Sequence, residues 1–276
     1  MPGWWAEQVI EVVPDGALLT LTGGTPEVDT TAHYWANPTP AVLALTGGQP
    51  SVTLSDHKVV APSSATLTLA GGQPTVTVFG ITGIAATNGT SGTIPTHAAG
   101  DLIVIFAFAR NSTTVPPAPA AGGTVPTWSF VNQGNAGAAC VGVVATAVAT
   151  ANNHTTGTWS GADSVTAVVI RGQAASPIGG QAGGGASTLD ATAPAVTLSK
   201  TDGSSILLHF MGARTGGATV TWGAAPAGYT KRTEITSGGP ICVLTKDATT
   251  TDGAVTVTRT GGTTGYSGHT IEIIRG

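Results

Sequence analysis

Residues 101–109 read DLIVIFAFA, and this stretch decides the fold. In an extended chain Leu102, Val104, Phe106 and Phe108 share one side, and Ile103, Ile105 and Ala107 the other. Gly100 precedes the run and Arg110-Asn111-Ser112 follow it, so it is bounded by turn-forming residues. A strand that is apolar on both sides belongs in the middle of a sheet covered on both faces. A neighbouring chain in a trimer is one candidate for such a cover.

Working outward, comparable runs recur at short spacing. They are AACVGVVATAVA at 138–149, SVTAVVIRG at 164–172, SSILLHFMGA at 204–213, PICVLTKDA at 240–248, GAVTVTR at 253–259 and HTIEIIRG at 269–276. Turns rich in Gly, Thr and Pro separate them, and no stretch sustains a helical period. Many short strands of this kind make a sandwich or a barrel. The region also repeats at an offset of 104 residues. Phe106 matches Phe210, Ala109-Arg110 match Ala213-Arg214, and Ile170-Arg171-Gly172 match Ile274-Arg275-Gly276, with Cys140 and Cys242 displaced by two. The expectation for residues 80–276 is therefore a jelly-roll-like antiparallel β-sandwich with internal duplication. The Gly-rich segment 173–194 is expected to be a flexible exposed connector between the halves.

Upstream the pattern changes. PDGALLTLTGGTPEV, PTPAVLALTGGQPSV and PSSATLTLAGGQPTV begin at Pro14, Pro38 and Pro62, so every landmark recurs after 24 residues. In the third unit Ala65, Leu67 and Leu69 alternate with Thr66 and Thr68, and Val76 and Val78 alternate with Thr75 and Thr77 across the turn Gly71-Gly72-Gln73-Pro74. Each unit reads as a β-hairpin with one apolar face. A lone hairpin is marginal in water, so residues 14–79 are expected to stack on one another, on partner chains or on a large surface. Leu21, Leu45 and Leu69 mark that face. Trp4, Trp5, Tyr34 and Trp35 are candidate docking anchors in a chain with few aromatics, and residues 1–13 a docking segment. His33 and His57 also lie 24 apart, but no second metal ligand recurs with them.

Only 9% of residues are charged, against about 25% in ordinary globular proteins, and the formal net charge is −4. Lys231-Arg232 is the one adjacent basic pair, so no basic stripe for nucleic acid is visible. No apolar run has the length of a membrane-spanning helix, and the opening MPGWWAEQVIEVVP does not read as an export signal. Cys140 and Cys242 sit in apolar runs and read as buried thiols rather than a disulfide framework. The histidines His33, His57, His97, His154, His209 and His269 show no HExxH-type spacing, and neither a GxSxG elbow nor a phosphate loop occurs. Asp15, Asp202 and Asp252 precede glycines and read as turn formers. Convergence of Asp163, Asp190, Glu234 and Asp247 would be needed for a carboxylate pair. The expectation is a protein that is not an enzyme and needs neither cofactor nor metal. Among Trp128, Phe130, Trp159, Trp222, Tyr229 and Tyr266, the turn-adjacent Trp159, Trp222 and Tyr266 are the candidates for stacking on a sugar ring, against the alternative that they are core residues.

The run GDLIVIFAFARNSTTVPPAP followed by GTWSGADSVTAVVIRG resembles a β-sandwich module of tailed-phage virion proteins, and the unit ALTGGQPSVTL resembles short repeats that precede such modules. The resemblance implies a capsid decoration protein, fibre or spike, often trimeric, located in the virion. Its partners would be the major capsid or tail proteins and host surface glycans, without nucleic acid or membrane insertion. A tail fibre or tail spike that binds a receptor is one alternative, and a bacterial surface adhesin or carbohydrate-binding module is another. The motifs are compositional and transfer no catalytic residue.

Overall fold

The structure, a computed structural model, describes residues 79–135, 140–247 and 251–276, together with four short strands nearer the N-terminus. The chain divides into two compact units, Met1–Val76 and Thr77–Gly276. The described residues are all-β.

In the first unit the described strands are β1 (Thr20–Thr22), β2 (Glu27–Asp29), β3 (Ala44–Thr46) and β4 (Ser51–Thr53). β1 pairs with β3 and β2 with β4, both in parallel, with Leu21 opposite Leu45 and Val28 opposite Val52. This revises the hairpin expectation: the described pairings join each strand to its counterpart 24 residues on, not to the other strand of its own repeat. Near-identical units can stack like on like, and the described strands of the first repeat are matched in this way to those of the second. Trp4, Trp5, Tyr34, Trp35 and Leu69, as well as His33 and His57, lie outside the described residues.

The second unit is a β-sandwich. Its first sheet holds β5 (Gly80–Asn88), β6 (Leu102–Ala109), β7 (Ser129–Asn135), β8 (Val141–Val148) and β9 (Ser164–Arg171) in the order β5-β9-β6-β8-β7. Its second holds β10 (Gln173–Ala186), β12 (Ser205–Ala213), β14 (Thr230–Ile235), β15 (Ile241–Asp247) and β18 (Tyr266–Arg275) in the order β10-β18-β12-β15-β14. All neighbours in both are antiparallel. Replacing each first-sheet strand by its counterpart from the second half reproduces the second order, so the duplication extends to topology. A jelly roll shuttles successive strands between its sheets. Here each sheet is completed by one half of the chain, which replaces the jelly-roll detail of the sequence reading.

Pairing also corrects one sequence match. Ile170 pairs with Leu102, the first residue of β6, whereas Ile206, the equivalent residue of β12, pairs with Ile273. The structural offset in β18 is therefore 103, and Gly172, not Arg171, is the counterpart of Arg275.

Leu102, Val104, Phe106 and Phe108 face Leu208, Phe210, Val243, Ile271 and Ile273 between the sheets, with Phe106 and Phe210 stacked at 5.3 Å. The outer side of DLIVIFAFA is covered by the chain's own loops, which pack Ile94, Trp128 and Trp159 onto Ile103, Ile105 and Ala107. A trimer contact is not what covers it. On the second sheet's outer face two small sheets do the same work: β11 (Ala191–Ala193) with β16 (Val255–Val257), and β13 (Thr221–Trp222) with β17 (Arg259–Thr260).

The Gly-rich connector is a 14-residue edge strand, β10, not a flexible loop. Its glycines are there for close approach. A Cβ on Gly183 would lie 2.2 Å from the carbonyl oxygen of Gln133, and one on Gly185 would lie 2.4 Å from that of Asn135. Glycine thus lets the edge of one sheet lie against the edge of the other.

Candidate functional site

The three aromatic glycan candidates are core residues. Trp159 is 0%, Trp222 4% and Tyr266 8% exposed. The Trp159 indole donates to the Thr156 carbonyl at 3.1 Å and packs on Trp128, and the Trp222 indole donates to the Ile235 carbonyl at 3.0 Å. Both rings complete outer-face layers, so none of the three offers a ring face to a sugar.

Three of the four candidate carboxylates each have a partner of their own. Asp163 pairs with Arg110, Glu234 pairs with Lys231, and Asp190 accepts from the Arg259 backbone N–H; the Asp247 side chain lies outside the described residues. Asp202 is a turn former whose carboxylate accepts the backbone N–H and hydroxyl of Ser204. Cys140 and Cys242 are both buried and not joined in a disulfide, and burial pushes the Cys242 thiol up to about 12. Among the described residues no group of three or more His, Cys, Asp or Glu side chains could hold a metal.

One constellation that spacing could not reveal has the order of a nucleophile, a base and its orienter. Ser267 Oγ lies 2.8 Å from His269 Nε2, and His269 Nδ1 lies 2.7 Å from Asn132 Oδ1. Its surroundings assign it a different task. All three residues are buried between the sheets, with the imidazole against Phe106 at 5.1 Å, and the Ser267 hydroxyl donates to the Gly134 carbonyl at 2.7 Å. Burial lowers His269 to about 3, so the ring is neutral. The hydroxyl proton is held by a carbonyl and no open face remains for a substrate. The arrangement ties β18 to β7 across the core.

The other polar clusters are local ties too. The Glu272 carboxylate accepts backbone N–H groups of Gly180, Ser199 and Lys200 at 2.8, 2.6 and 3.0 Å. Burial alone would raise this carboxyl, but those donors hold it below the ordinary glutamate range. The Arg259 guanidinium, itself buried, donates to the carbonyls of Arg214, Thr263 and Gly265, fastening a Gly-rich turn. His97 and His154 stack 5.9 Å apart, and each Nε2 accepts a backbone N–H, from His154 and from Thr150 respectively.

A cleft of about 360 Å³ lies at the end of the sandwich where β5 begins. Phe79, Gly80, Ile81, Gly203, Ser205, Ile206, Arg232 and Arg275 line it. Arg232 is steadied by its Nε donating to Thr245 Oγ1 at 2.6 Å. Two of the chain's ten basic residues meet here. The adjacent pair Lys231-Arg232 was legible in the sequence, but its meeting with Arg275 needs the fold. No family model matches the chain, and no curated protein or solved structure matches it either.

Proposed function

We propose that this chain is a structural protein of a tailed-phage virion, a capsid decoration or head-fibre protein. The first unit anchors it to the particle and the sandwich is displayed. The observation that carries this reading is the division at Val76/Thr77 between a unit whose strands pair repeat to repeat and a self-contained sandwich with its own core. A stack of near-identical rungs is an extended, low-chemistry element suited to docking and reach. The sandwich directs its polar clusters to holding its own sheets and loops together, as a display scaffold requires. Low charge supports contact-driven rather than long-range electrostatic capture. The proposed assembly is a homotrimer on the major capsid or tail proteins, so that weak host-surface contacts gain by avidity.

The test is deletion of residues 1–76 from the phage-encoded copy. Particles should then lack the protein while the soluble remainder keeps its fold. Particles that still carry the truncated chain would overturn the anchoring role.

A further inference from the structure

The internal duplication offers a control for every position in the sandwich: what the fold requires at a site in one half, it should require at the equivalent site in the other. Departures from that rule mark residues held for another reason. The arginine-lined cleft is such a departure.

Arg232 is the extra residue at a bulge in β14, between the paired positions Lys231 and Thr233. Its counterpart is Val131, the extra residue at the matching bulge in β7, which packs against the core between the sheets. Arg275 corresponds to Gly172, since Ile273 and Ile170 hold equivalent places beside Ile206 and Leu102. At one corner of the sandwich the two equivalent positions are thus a valine and a glycine. At the pseudosymmetric corner, two arginines stand over a cleft floored by Phe79, Ile81 and Ile206. The other half of the fold is built without arginines at these two places, while Arg232 here also donates to Thr245 Oγ1.

Arg275 is exposed, and among the described residues the ion pairs are Arg110–Asp163, Arg171–Asp101 and Lys231–Glu234, none of which involves it. Planar guanidinium groups recognise carboxylates through paired N–H donors. An apolar floor with one aromatic ring suits the C–H face of a compact ring. The volume falls in the lower part of the range of about 300–1,000 Å³ typical of small-molecule sites.

We propose that this cleft binds a carboxylate-bearing saccharide, a uronic acid residue, with the carboxylate on Arg275 and Arg232 and the ring against Phe79. The proposal needs only the sandwich and does not depend on the virion reading. It replaces the buried aromatic residues as the place where this chain would meet a sugar.

Calorimetric titration of the full chain with a uronic acid disaccharide, its methyl ester, the matching neutral disaccharide and sodium acetate tests it. The uronate should bind, and the ester and neutral sugar should bind at least about tenfold more weakly, since each loses the charge-assisted hydrogen bonds. Acetate binding as tightly as the uronate, equal binding of the ester, or no binding of the uronate would each overturn the proposal. Arg232→Val and Arg275→Gly install the residues that the other half uses, and uronate affinity should drop about tenfold or more in each. Unchanged affinity in the double variant would also overturn it. If the variants unfold, the comparison of uronate with its ester on the unaltered chain still decides.

Discussion

At the scale of single residues, the sandwich is held by polar groups placed where an alternating pattern would put apolar ones. In HTIEIIRG, His269 has the parity of Ile271 and Ile273 and therefore points between the sheets, while Glu272 takes the opposite parity. That much was legible in the sequence. Their partners were not, because Asn132 and Ser199 come from segments 137 and 73 residues away. His209 and His269 are both lowered to about 3, chiefly by burial. For a histidine depressed on folding, the stability is fully present above the unfolded value of about 6.5 and is lost as pH falls toward the folded value. The melting temperature should therefore be flat above pH 7 and decline steadily below about pH 6. His209→Leu should weaken that decline without lowering stability at neutral pH. The reason is that His209 Nε2 has no hydrogen-bond partner among the described residues, and Thr270 keeps its bond to the Pro194 carbonyl. A pH series of melting curves on the two proteins checks both statements, and a large loss at pH 7.5 would count against the assignment. Glu272→Gln should destabilise at neutral pH, since a neutral amide cannot serve three N–H donors as a carboxylate does.

Strands were legible at the scale of elements wherever apolar runs were long, and β6, β8, β9, β12, β15 and β18 all fall on the runs read from sequence. β10 was not legible. Its sequence, QAASPIGGQAGGGA, has the composition of a linker, yet a strand running against another backbone needs the same residues. Composition cannot separate freedom from crowding; only the neighbour can. Two alanine substitutions distinguish them. A Cβ on Gly134 would lie 2.4 Å from the Gly184 carbonyl oxygen, whereas a Cβ on Gly184 meets nothing within 4 Å. Gly134→Ala should cost about 1–3 kcal/mol in denaturant unfolding, and Gly184→Ala less than about 0.5 kcal/mol. Equal effects would mean that the two edges do not meet as described. The repeats teach a related lesson: a 24-residue period is read easily, but a period fixes spacing and not whether a strand pairs within its unit or with the next.

Considered as a whole molecule, the chain joins a repeat unit to a sandwich made of two copies of one five-strand sheet. Each sheet has an apolar inner face, led by Phe106 and Phe108 in the first and by Leu208 and Phe210 in the second. Neither half can leave that face in water. Residues 77–276 should melt cooperatively by themselves, while residues 77–172 alone should form no folded monomer and should instead dimerise or aggregate. Sedimentation and calorimetry on the two fragments would decide, and a stable monomer from the single half would contradict the shared core. The arginine-lined cleft was not legible in the sequence, because Arg232 and Arg275 are 43 positions apart and meet only in the fold. The central claim is that the chain is a fixed part of a phage particle. Quantitative mass spectrometry across a density gradient of purified particles tests it most directly. Peptides from both units should follow the major capsid protein at a constant ratio through the particle peak. Their absence from that peak, or a ratio that changes across it, would contradict the account.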